Sequence, residues 1–160
     1  MSSGCAERPG WSVLAACLLV LAGCGGEQTT PEDGVRATIA AMEKAVEESA
    51  IRQAAELLHP DYRDSRHPNK RAAVHSLLAY MRRHRDVHLF SVIKSLELSA
   101  ANDSARAVVY VAMTGTPVQS LDTAMALKAD LLRFEVEFAR VDEDWRIVHS
   151  DWRRADSFVL

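Results

Sequence analysis

The residues best suited to chemistry lie near the C-terminal end, in DWRIVHSDWRR, residues 144–154. On a strand, where side chains alternate between faces, His149 and Asp151 project to one face with backbones about 6.5–7 Å apart. A histidine beside a carboxylate can serve as a general base with its orienting partner. The same two residues can also form a polar rim, with Asp151 paired to Arg153 or Arg133 and His149 satisfied by a neighbouring strand. No nucleophile motif and no phosphate-binding loop accompanies them.

A second group is rich in histidine and arginine. Five of the six histidines fall between His59 and His88, interleaved with Arg63, Arg66, Lys70, Arg71, Arg82, Arg83 and Arg85. His84 and His88 have the four-residue spacing of metal ligands on a helix. The helical pattern ends near Arg85, however, and the arginines disfavour a cation, so neither a metal nor a cofactor is expected. The segment reads as a solvated face, or as a contact for anions such as lipid headgroups or an acidic partner.

The N-terminal stretch has a weak charged region, Glu7-Arg8, then an apolar run from Trp11 to Ala22. That run is short for a bilayer span and fits a secretory signal. Its end, Leu21-Ala22-Gly23-Cys24, resembles the bacterial lipobox, which implies cleavage before Cys24 and acylation of its thiol. Residues 1–23 are then a signal peptide, 24–31 a lipidated tether, and 32–156 the folded domain. Two or more acyl chains give stable membrane attachment where one does not. Of the three cysteines, Cys5 and Cys17 leave with the signal and Cys24 is capped, which excludes disulfides, thiolate metal sites and cysteine nucleophiles. Gly25 follows the cysteine in place of the aspartate that marks inner-membrane retention among lipoproteins. The expected address is the cell envelope, facing the periplasm, with the outer membrane favoured in a diderm bacterium.

The remaining chain suffices for one domain with a real core. A net charge of −3 gives no nucleic-acid footprint. Thr30-Pro31-Glu32-Asp33 reads as a helix start, with a capping threonine, proline in the first turn and acids at the positive dipole end. Val35, Ile39, Met42 and Val46 continue a helix to about Ser49. A shorter one spans about Ala50 to Leu58 before Pro60, HPDYRDSRHPN is a loop or short irregular strand, and a third helix covers roughly Lys70 to Arg85.

After Val87 the period changes. VHLFSVIKSLEL and ARAVVYVAMTG are strands joined by the turn-forming AANDS, and the second reads as central because both its faces are apolar. In LLRFEVEFAR, Leu132, Phe134, Val136 and Phe138 face one way and Arg133, Glu135 and Glu137 the other. A turn at 142–144 returns the chain into WRIVHSDWRR, antiparallel to its predecessor. Helices ahead of a meander predict an α+β fold, with N-terminal helices packed in a strongly curved antiparallel sheet.

This order, with AAELLHPDY after the first helix, the FEVEFARVDEDWRIVHSDW hairpin and the closing Trp145 and Trp152, resembles the nuclear-transport-factor-two-like cone shared by SnoaL-like proteins and ketosteroid isomerase. Asp151 stands where many relatives carry a second histidine. The resemblance implies a pocket inside the cone, for which Tyr62, Phe134, Phe138, His149 and Trp152 are lining candidates, and it implies polar catalytic groups near Asp61 and Tyr62. Two roles follow as expectations. One is a lipid-anchored envelope module that binds a small apolar ligand or a protein without catalysis. The other is a small isomerase or dehydratase using His149, Asp151 and Tyr62. Such cones also pair through the outer sheet face, which makes a homodimer a further role.

Overall fold

The computed structural model describes residues 30–84, 86–118, 120, 123 and 130–155. The leader, Cys24 and the tether before Thr30 lie outside the described residues, as does most of the connection after Pro117.

The first helix, α1 (Pro31–Glu47), starts as its residues dictate: Asp33 N–H donates to Thr30 Oγ1 at 3.2 Å, and the Thr30 N–H donates to Asp33 Oδ2 at 3.0 Å. This reciprocal box satisfies amides that a helix start otherwise leaves orphaned. Val35 and Ile39 enter the main core, with Met42 packed against it. After α2 (Ile51–Glu56), the segment expected as a loop or irregular strand forms β1 (Leu58–Arg63), and α3 (Lys70–Arg83) follows. Asn69 caps α3 by accepting the Ala72 amide at 3.0 Å. The helix ends two residues before Arg85, so His84 sits at its C-cap and His88 opens β2, which dissolves their helical spacing.

β2 (His88–Leu98), β3 (Ser104–Thr114), β4 (Asp130–Val141) and β5 (Asp144–Arg154) form an antiparallel meander. The sheet order is β1-β5-β4-β3-β2, and β1 joins β5 in parallel. The sheet is therefore mixed at one edge. Its strong curve wraps the helices, giving the expected α+β cone. Inside, Phe138, Val136 and Phe134 stand opposite Ala105, Ala107 and Val109. Small residues on the central strand make room for the aromatic rings, as dense packing requires.

Two bulges punctuate the antiparallel meander, at Lys94 between Ile93 and Ser95 and at Val148 between Ile147 and His149, and the parallel β1–β5 pairing is itself irregular between Leu58 and Arg63. An extra residue bends a strand and inverts the side-chain phase beyond it.

α1 crosses the sheet end at Gly34. A Cβ there would lie 2.5 Å from Trp145 Cδ1 and 2.7 Å from Nε1, and Trp145 is only 5% exposed. Thr38 fixes the same crossing by donating to the Trp145 carbonyl at 3.3 Å. Alanine gains about 1 kcal/mol in helix propensity but forces overpacking worth about 1–3 kcal/mol. Gly34→Ala is therefore expected to destabilise by up to about 2 kcal/mol, measured by urea unfolding.

Candidate functional site

The Val148 bulge decides where the sequence's best candidates point. Ile147 pairs with the inward-facing Phe138, and unbroken alternation would carry His149 and Asp151 inward as well. Instead His149 pairs with Glu137 and Asp151 with Glu135, both on the outer face. Expectation is corrected here: His149 is on the convex side, outside the cone, because Val148 takes up one alternation step. Beyond the bulge, Ser150, Trp152 and Arg154 share the inner face with Val136, Phe134 and Leu132.

On the outside, His149 and Asp151 do meet, with Nε2 3.1 Å from Asp151 Oδ2. The other ring nitrogen lies 2.8 Å from the Arg63 carbonyl. Both partners are acceptors, so whichever ring nitrogen carries a proton donates to one of them, and the ring is held between β1 and Asp151. Asp151 is itself held by the Ser65 hydroxyl at 2.6 Å and the Ser65 amide at 3.2 Å. Those bonds, then the His149 ring, keep its carboxyl below the usual carboxylate value. The pair ties the chain after β1 to β5; Arg153 and Arg133 do not partner Asp151, and Arg133 pairs with Glu135. The pair borders a depression of about 330 Å³ whose other charged walls include Glu97, Arg106 and Glu137, with Arg106 and Glu137 joined at 3.0 Å.

On the inside, Tyr62 is 5% exposed. Its hydroxyl lies 2.8 Å from Asp64 Oδ2 and 2.8 Å from Ser150 Oγ. Burial, reinforced by the Asp64 carboxylate, pushes the phenol far above its ordinary value. Tyr62 is thus a neutral, fully bonded core residue and not an available proton carrier. Asp61 is exposed, and its amide donates to His59 Nδ1 at 3.0 Å. Phe138, at 2% exposure, belongs to the core.

The cone opens where the ends of β3, β4 and β5 meet the end of α3. A cleft of about 600 Å³ lies there, with Val87, Met113, Leu132 and Trp152 as apolar wall and Tyr80 and Arg83 from α3 above. Trp152 is the one exposed large apolar side chain among the described residues, at 39%. Phe134 backs its ring at 6.3 Å between centroids, and the Arg66 guanidinium sits 3.8 Å over it. Tyr80 stacks on His84 at 4.5 Å. Of the cleft's cations, Arg154 is paired with Asp130 at 3.3 Å, whereas Arg83 has no ion-pair partner among the described residues. Asp86 also borders the cleft. Of the five lining candidates, then, Trp152 forms the wall and Phe134 supports it, while Tyr62, Phe138 and His149 lie elsewhere.

Glu43, on α1, was not singled out by any spacing. It faces Ser91, an inner-face residue of β2, and its Oε1 is buried without a partner. Burial raises its carboxyl above the usual value, against the Ser91 hydrogen bond. Tyr80 and Leu132 were likewise legible only as parts of helix and strand patterns, and Arg83 only as one member of the basic segment open to contact with anions. The signal that could have found the cleft is the inward phase of Leu132 at one end of β4, since the bulge hides that of Trp152. Among the described residues, no group of three or more histidines, cysteines or acids is placed to hold a metal.

No protein-family model matches this chain, and no curated protein matches it. Solved structures do match. An uncharacterised Caulobacter vibrioides protein with a cystatin-like fold superposes with a TM-score of 0.62 at 20% identity, covering 79% of this chain and 90% of that one. A candidate dehydratase of the NTF2-like family from Streptomyces avermitilis gives 0.60 at 14% identity, covering 80% and 100%. An NTF2-like protein of unknown function from Silicibacter pomeroyi gives 0.56 at 12%, covering 76% and 93%. At such identities the likeness carries the fold alone. The chain thus has the cystatin-like, NTF2-like cone architecture of these neighbours.

Proposed function

We propose that this chain is a lipid-anchored cell-envelope protein whose cone-mouth cleft binds a small apolar molecule carrying an anionic group. The observation that supports this most is the cleft itself: about 600 Å³, walled by Met113, Leu132 and Trp152, with Arg83 unpaired among the described residues at its rim. That volume lies within the range of small-molecule sites, which combine apolar walls with few orienting polar groups. An anionic head near Arg83 gains a charge-assisted contact, and an apolar body against Trp152 removes hydrophobic surface from water.

The alternative, an isomerase or dehydratase using His149, Asp151 and Tyr62, finds less support. Two of these groups face away from the cleft, and the third is sealed in the core. The anchor rests on the apolar run and the Leu21-Ala22-Gly23-Cys24 sequence, a few residues ahead of the Thr30 cap of α1.

Two experiments test the reading. Apolar carboxylates such as decanoate and 2-naphthoate should raise the melting temperature, and alcohols of the same skeleton should raise it less. A ligand at one hundred times its Kd adds about 2.7 kcal/mol. Arg83→Gln should weaken carboxylate binding about tenfold and leave the alcohols unchanged, as loss of one exposed charge contact worth about 1–1.5 kcal/mol predicts. Equal shifts for acids and alcohols would contradict the anionic head. For the anchor, Cys24→Ser should abolish acylation and release the protein from the membrane fraction. An unmodified wild-type chain in that fraction would contradict it.

A further inference from the structure

The turn between β1 and α3 assembles a constellation that the cleft does not use. Asp64 Oδ2 lies 2.9 Å from His67 Nδ1, and His67 Nε2 lies 2.9 Å from Ser76 Oγ. The carboxylate is fixed from several sides, by the Tyr62 hydroxyl at 2.8 Å and by the amides of Arg66 and His67, each at 2.7 Å. Burial alone would raise the Asp64 carboxyl, but the bonds from His67, Tyr62 and the amides outweigh it and hold the group below its usual value. An ionised Asp64 accepts from Nδ1–H, which fixes the tautomer and leaves the Nε2 lone pair facing the Ser76 hydroxyl. A carboxylate that orients an imidazole which in turn takes a hydroxyl proton is the geometry of an activated serine. Ser76 is exposed on α3, one turn before Tyr80, so it shares a helix face with a residue of the cleft wall.

We infer that Ser76 is an activated nucleophile that accepts acyl groups from esters of apolar acids, with His67 as its base and Asp64 as a positioning residue. Ser76 Oγ attacks the ester carbonyl carbon as its proton moves to His67 Nε2. The carbon–oxygen bond to the leaving alcohol breaks, and the alcohol departs with the proton from Nε2. Water then attacks the acyl-serine. Its proton passes through Nε2 back to Ser76 Oγ, releasing the carboxylic acid and restoring the starting state. The apolar acyl group is accommodated against Tyr80 and the neighbouring cleft. This activity goes beyond ligand binding, and the cleft's affinity for carboxylates does not depend on it.

The test is a fluorophosphonate probe on the full chain, read by intact mass and peptide mapping. Oγ displaces fluoride at phosphorus while its proton goes to His67, leaving one stable adduct. The expected result is a single adduct on Ser76, absent in Ser76→Ala, a substitution at an exposed site. His67→Gln should slow labelling at least 100-fold, the lower range of general-base effects; His75→Gln, an exposed neighbour, should leave it unchanged. Wild-type labelling should also slow in acid, where a protonated base accepts nothing from the hydroxyl, a readout that needs no variant. Asp64→Asn should displace that pH profile, which a purely structural role would not do. No adduct on Ser76, a labelling rate equal to that of the unfolded chain, or a rate that does not fall in acid would overturn the proposal. Ser76→Ala should keep the carboxylate-induced melting shift, so failure here and failure of the binding reading are separable.

Discussion

Phe138→Ala is expected to lower the unfolding free energy by about 3–5 kcal/mol, the cost of emptying a buried aromatic site that cannot collapse. Phe138 is 2% exposed and sits between Ala105 on β3 and Ile147 on β5. Ala105 has no side chain to extend into the void, and Ile147 is held by its backbone bond to Leu57 at 2.9 Å and by the bulge that follows it. Whole domains carry only about 5–15 kcal/mol, so this one change removes a large part of the total. Urea unfolding reads it as a lower midpoint at unchanged slope. A loss under about 1.5 kcal/mol, the range of a volume-conserving exchange, would mean that the interior relaxes and that the packing described here is not rigid.

The second large effect concerns Asp64. Its carboxylate collects donors from Tyr62, His67 and two backbone amides, while its side chain is 10% exposed. Asp64→Asn should cost about 2–3 kcal/mol near neutral pH, because hydrogen bonds to a charged acceptor are the stronger ones. The pH dependence has a definite sign. A carboxyl whose folded value is depressed binds its proton more readily in the unfolded chain, so its contribution is present above the ordinary value of 3.8 and is lost as pH falls through the depressed folded value. The gap between wild type and Asp64→Asn should therefore be widest at neutral pH and narrow below about pH 4. Urea midpoints measured from neutral to acid pH check this, and a gap independent of pH would show that the charge contributes nothing.

Much of the fold was legible because it rests on local signals. Thr30-Pro31 opens α1, the alternation of Leu132 to Phe138 gives β4 its two faces, and two apolar faces mark β3 as central. What the sequence left hidden depends on tertiary register. β1 is a strand because its backbone finds β5 as a parallel neighbour, and HPDYR carries no alternation to announce it. The Val148 bulge has no composition signature, yet it turns His149 and Asp151 outward and Trp152 and Arg154 inward. That single residue separates the expected pocket from the observed cleft. The Asp64–His67–Ser76 chain was equally invisible, since a turn and the first two turns of α3 bring His67 and Ser76 together across nine residues. Phe134 follows from the alternation of β4, whereas Trp152 was named through the family resemblance and reaches the inner face only because of the bulge.

The central claim is that the inner mouth of the cone, and not the outer face bearing His149, receives the ligand. Backbone amide chemical-shift mapping during titration with decanoate tests it most directly. The account predicts changes concentrated at Tyr80, Met113, Leu132, Trp152 and Arg154, saturating together with the Trp152 indole. Changes centred on Glu135, Glu137, His149 and Asp151, or none at saturating decanoate, would contradict it.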